Sequence, residues 1–101
     1  MSPVDLFTTA SALPDAWSSH LLARVGTAGV KVLRMDGRPL PPETHGAPEV
    51  LLVLDGRLEL FVAGTAVSVA PGGMYRVPAG APHAVRPGSH GTLVIVEAPE
   101  E

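Results

Sequence analysis

The stretch Glu49-Val50-Leu51-Leu52-Val53-Leu54-Asp55-Gly56-Arg57-Leu58-Glu59-Leu60-Phe61-Val62-Ala63-Gly64 decides the fold class. Val50 to Leu54 is an unbroken apolar run, closed by Asp55-Gly56, a strong hairpin-turn signal. Leu58, Leu60 and Val62 then share one face of a strand, because strand side chains alternate with period two. Ala63-Gly64 turns the chain again. Working outward, Ala66 to Val69 reads as a strand ended by Pro71-Gly72-Gly73, and Met74 to Val77 as a short one. Pro78-Ala79-Gly80 makes a corner before Ala81 to Arg86. Pro87-Gly88-Ser89-His90-Gly91 is the last loop and Leu93 to Val96 the last strand. Upstream, Leu21 to Val25 ends at Gly26, and Val30 to Met35 is stopped by Asp36-Gly37. Arg38-Pro39-Leu40-Pro41-Pro42 lacks the N–H donors of a central strand and reads as an extended loop. Short strands with turns at this spacing indicate an all-β sandwich or barrel. The weakly patterned residues 1–20 form an N-terminal arm, with Ser11 to Trp17 as one helical turn capped by Ser11 or Asp15, or as an ordered extended piece. Residues 21–101 form the barrel domain.

Composition agrees and narrows the function. The chain has 101 residues, enough for one domain, and 46% of them are hydrophobic, which argues against disorder. Gly and Pro number 11 each, which fits many tight turns. The net charge of -3, with no run of like charges, lacks the basic stripe that nucleic acid needs. There is no Cys, so any metal is held by His, Asp, Glu or water. Neither a secretory signal nor a membrane-length apolar run is present, so the expected location is the cytoplasm. One Lys, Lys31, against six Arg, with much Ala, Gly, Pro and Val, fits a GC-rich bacterial genome.

Two strands carry a further message. Val50 to Leu54 and Leu93 to Val96 are apolar on both faces, whereas a strand with one face in water alternates. Their second faces need a cover, either the N-terminal arm or a second subunit, and a homodimer is the expectation.

The chemistry-bearing residues gather around the same stretch. Glu49 shares a face with Leu51 and Val53, the side taken as the barrel interior. A carboxylate there is costly unless paired, protonated or bound to a metal. His45 lies four residues upstream, and His83 follows the Pro78-Ala79-Gly80 corner. Two imidazoles and one carboxylate form a facial triad suited to iron(II), and also serve zinc, manganese, nickel or cobalt. Three ligands leave positions open for water or substrate.

At these residues the sequence resembles a family. Glu43-Thr44-His45-Gly46-Ala47-Pro48-Glu49, followed after six residues by Gly56, is similar to the first cupin motif. Gly72 to His83, with Pro78, Gly80 and His83 at the motif's offsets, is similar to the second. The resemblance spans residues 30 to 97. It implies an antiparallel cupin β-barrel, a jelly-roll-like double-stranded β-helix, with a metal inside its mouth. Carried over by position, the ligands are His45, Glu49 and His83, with Glu43 standing where the family has a His. A Glu43 that ligates makes the site harder and more anionic, favouring manganese, iron or zinc. A Glu43 that does not ligate becomes a candidate catalytic base. Gly73 and Pro87 depart from the second motif at turn positions.

Simpler roles exist for each residue: a solvated loop His for His45, a strand-entry charge for Glu49, a turn His for His83. His20 and His90 read as surface residues. Trp17, Tyr75, Met35, Met74 and Phe61 could line a pocket but read first as core, and Arg34, Arg76 and Arg86 could bind an anionic substrate but read first as solvated strand faces. Three functions follow. The first is a metal-dependent oxygenase, isomerase or lyase acting on a small oxygen-bearing molecule. The second is a small-ligand or metal-binding module without turnover, and the third a structural domain with a degraded site.

Overall fold

The turns expected from Gly, Pro and Asp deliver strands close to where the patterning puts them. The computed structural model describes residues 2–99. Along them run α1 (Leu6–Ala12), β1 (His20–Val25), β2 (Ala28–Asp36), β3 (Leu40–Glu43), β4 (Glu49–Val53), β5 (Leu58–Val62), β6 (Thr65–Val69), β7 (Met74–Val77), β8 (His83–Val85) and β9 (His90–Glu97). All pairings are antiparallel. One sheet has the order β1-β2-β9-β4-β7 and the other β3-β8-β5-β6. The chain passes between the two sheets at nearly every connection from β3 onward, which is the jelly-roll arrangement.

Three elements differ from the sequence reading. Asp55-Gly56 does not close a hairpin, because β4 and β5 lie in different sheets. The turn carries the chain across the barrel edge instead. Asp55 Oδ1 accepts a hydrogen bond from the Thr92 N–H (2.6 Å), and Arg57 exchanges backbone bonds with His90. Gly56 has φ +76°, and a Cβ there would lie 1.9 Å from the His90 carbonyl oxygen. Ala63-Gly64, by contrast, is a true two-residue hairpin loop between β5 and β6, with both residues at positive φ as the right-handed strand twist requires. The proline stretch is an edge strand rather than a loop. β3 holds Pro41 and Pro42 but pairs only with β8, with an irregular register, so their missing N–H groups cost no ladder bond in the sheet centre.

The third difference is α1, which begins at Leu6 rather than near Ser11. Asp5 caps it by accepting from the Thr8 N–H, and Leu13, which precedes Pro14, ends it in an extended conformation. Seven residues are too few to hold a helix alone. Tertiary contacts hold this one. Ala10 is buried against Val32 and Val94, and Arg34 Nη1 donates to the Ala10 and Leu13 carbonyls (3.0 and 2.8 Å). α1 thus covers part of the outer face of β2 and β9. Of the two strands whose two-sided apolar pattern called for a cover, it lies over β9, while β4 has no comparable contact with it.

The main core lies between the sheets. Leu33, Met35, Leu51, Val53 and Leu93 from one sheet meet Leu58, Leu60, Val62 and Val69 from the other. This packing leaves one end of the barrel open, and the polar side chains collect there.

Candidate metal centre

Register brings the site residues to that open end from both sheets. Glu43 at the end of β3 stands opposite His83 at the start of β8. Glu49 opens β4 on the other sheet, on the face that buries Leu51 and Val53, as its spacing predicted. His45 sits in the connection between β3 and β4, and its carbonyl accepts from the Gly80 N–H (2.9 Å). That bond ties the two sequence motifs together, since Gly80 belongs to the corner that delivers His83.

Glu43, His45 and His83 each present a ligand atom, all within 4.8 Å of one another. His45 Nε2 lies 3.2 Å from Glu43 Oε2, and the two imidazole centroids are 5.1 Å apart. Glu49 reaches the group through His83, whose Nε2 is 3.3 Å from its Oε1. The tightest grouping therefore places Glu43, rather than Glu49, with the two imidazoles. Glu49 and His83 are almost enclosed, at 11% and 9% side-chain exposure, whereas Glu43 is 60% exposed.

The His83 ring has one tautomer that fits. Its Nδ1 lies 3.0 Å from the Ala81 carbonyl oxygen, which only accepts, so the proton sits on Nδ1. Nε2 then turns a lone pair toward the Glu49 carboxylate. Two lone pairs face each other there unless a proton or a cation lies between them. A backbone-oriented imidazole presenting Nε2 beside carboxylates is the arrangement in which protein His residues ligate metals. The donor set, nitrogen and carboxylate oxygen without sulfur, suits zinc, iron or manganese. The residues present fit a divalent ion.

Burial pushes the Glu49 carboxyl above the usual carboxylate range. The neighbouring His83 and His45 oppose that shift, while Glu97, close by and hydrogen-bonded to it, adds to it. Glu97 is a residue that the sequence reading missed. It pairs with Glu49 across β4 and β9 and forms an ion pair with Lys31. Only the register of two strands far apart in sequence reveals it.

A cavity of about 220 Å³ opens beneath the cluster. Its lining includes Glu43, His45, Glu49, His83 and Glu97, aliphatic side chains such as Leu33, Leu60 and Ile95, and Trp17. Trp17 therefore does more than fill the core. Met35 and Tyr75 do pack in or against the core, while Met74 and Phe61 are largely exposed. The arginines face other work. Arg34 holds α1, and Arg86 pairs with Glu59 and lies over the Phe61 ring. His20 and His90 lie outside the metal-capable group.

The chain belongs to the cupin family: the family model described as "Cupin domain" matches residues 30–98. Among solved structures, it is similar to a cupin-2 domain containing protein from Shewanella frigidimarina NCIMB 400, with TM-score 0.85 and 21% identity over 95% of this chain and 94% of that one. A cupin superfamily protein from Desulfitobacterium hafniense DCB-2 superposes with TM-score 0.80 and 18% identity, covering 98% and 92% of the two chains. KdgF from Halomonas sp. gives TM-score 0.70 and 20% identity over 82% and 78%. These likenesses concern the fold. None of the curated proteins compared matches the sequence. Among the described residues, no helix is long and apolar enough to cross a membrane.

Proposed function

We propose that this cupin binds a divalent metal with His45, His83, Glu43 and Glu49, and that a small oxygen-bearing molecule meets the metal from the cavity beneath. The observation that carries this reading is the convergence of Glu43, His45 and His83 ligand atoms within 4.8 Å. The His83 tautomer, set by Ala81, supports it. A bound divalent ion would supply Lewis acidity toward the ligand oxygen. The chain's own residues do the remaining work. The imidazoles orient the ligand and the apolar lining excludes water. This donor set serves isomerase, lyase or oxygenase chemistry, and catalysis is the favoured reading over binding alone. The expected assembly is a homodimer in the cytoplasm, formed through the apolar outer sheet face that α1 leaves uncovered.

The test is metal content of the purified protein by elemental analysis. Near-stoichiometric metal in the native chain, lost in both His45→Ala and His83→Ala, is expected. A native protein that stays metal-free after incubation with zinc, iron and manganese overturns the proposal. Loading at a hundredfold excess over Kd should also stabilise the fold by about 2.7 kcal/mol, readable as a rise in melting temperature.

A further inference from the structure

We infer that the cavity is built for an uncharged, mainly apolar molecule of about one six-membered ring with a neutral oxygen donor, read by Trp17, and that it rejects carboxylates and phosphates of the same size. This deepens the reading of the barrel mouth as a ligand site and rests on it.

Three observations carry the inference. The first is size. A dry cavity of roughly 150 Å³ accepts a benzene ring, so the space of about 220 Å³ here takes one substituted ring. The second is charge. Glu43, Glu49 and Glu97 line the cavity, and among the described residues no Lys or Arg does. Lys31 offsets Glu97 from outside. A divalent ion in the cluster would be neutralised by Glu43 and Glu49, so an anionic ligand would add an uncompensated charge beside an apolar lining. Such burial is costly, whereas an alcohol or carbonyl oxygen brings no charge.

The third observation is how firmly Trp17 is held. Its backbone sits at φ +64°, a left-handed conformation that is strained for a non-glycine residue. Its N–H donates to the Arg34 carbonyl (2.8 Å), and its indole Nε1 donates to Asp36 Oδ1 (2.7 Å). That indole bond is the largest cause of the depressed pKa of the Asp36 carboxyl. These bonds fix a strained residue so that its ring lines the cavity instead of closing it. An indole held in the same lining as the polar cluster grips a ring while the ligand's oxygen faces the carboxylates and imidazoles.

Trp17 is the chain's only tryptophan, so its emission reports on the cavity directly. The probes are cyclohexanol and cyclohexanecarboxylate, which share a ring and do not absorb where indole is excited. They are titrated into metal-free and zinc-loaded protein. Cyclohexanol is expected to half-saturate the emission change at least about tenfold below the carboxylate. Glu43→Gln, which removes one negative charge, should narrow that gap. By thermal shift, Trp17→Phe should keep most of the cyclohexanol stabilisation and Trp17→Ala should lose it. If the carboxylate binds as well as the alcohol, or Trp17→Phe and Trp17→Ala respond alike, the inference is wrong. Zinc retention without a response to either probe overturns it while leaving the metal reading intact. Cyclohexanol binding without zinc retention upholds it and removes the metal reading.

Discussion

Glu49 shows how a single residue can be at odds with the fold around it. Burial raises its carboxyl pKa, so the folded protein holds that proton more tightly than the unfolded chain does. A carboxyl raised in the folded state lowers stability as pH climbs from the ordinary carboxylate value through the raised one. Metal-free Glu49→Gln is therefore expected to be at least as stable as the native chain near neutral pH, and to lose part of that decline with rising pH. Its metal affinity should fall by at least about tenfold. Melting curves from pH 4 to 8 (an approximate range) on chelated protein, with zinc titrations beside them, check both halves. A variant that is less stable at every pH would show Glu49 to be a structural ion-pair partner instead. Glu43 differs in kind. It is exposed and hydrogen-bonding distance from His45, so its replacement should alter the site with little effect on the fold.

Among the elements, the link between β4 and β5 is the most constrained. Asp55-Gly56 has the composition of a hairpin, yet the neighbouring strands part into different sheets. A hairpin requires the second strand to fold back on the first. Here Leu58 and Leu60 are buried in the opposite layer instead. Gly56 meets the His90 carbonyl in a contact that no Cβ permits, whereas Gly64 in the β5–β6 loop has open space around it. Gly56→Ala should thus cost more than about 2 kcal/mol, and Gly64→Ala about 1 kcal/mol, from its positive φ alone. Urea unfolding with unchanged m-value checks the pair. Equal losses would mean that the chain relaxes around position 56. α1 illustrates the converse, a helix too short for its own propensity to support, formed because Ala10 and Leu6 have an apolar sheet to rest on.

At the scale of the whole molecule, α1 leaves part of the outer face of the five-stranded sheet uncovered. α1 covers Val32 and Val94, but Met74 stays 59% exposed beside the half-buried Leu52, and Phe7 on the helix is also half exposed. An apolar sheet surface of this kind commonly marks an interface. Light scattering at micromolar concentration is expected to give a dimer, and Met74→Glu to shift it toward monomer while leaving the fold intact by circular dichroism. A native monomer at that concentration contradicts the expectation. A stable dimer would need to bury on the order of 1,200 Å² or more in total.

What the sequence determined by itself was local. Turn residues at Gly64, Gly72 and Gly80, and apolar alternation from Leu58 to Val62, are enforced by backbone sterics and period-two geometry, so strands and the barrel class were legible. The inward face of Glu49 and the motif spacing around His45 and His83 were legible for the same reason. Register was not. Which strand lies beside which depends on burial summed over the whole core, and no local rule carries that sum. The hairpin expected at Asp55-Gly56, the position of α1, the Glu49–Glu97 pair and the entry of Trp17 into the cavity were therefore decided only by the tertiary structure. So was the regrouping of Glu43 with the two imidazoles, since Glu43 meets His83 only once β3 and β8 pair.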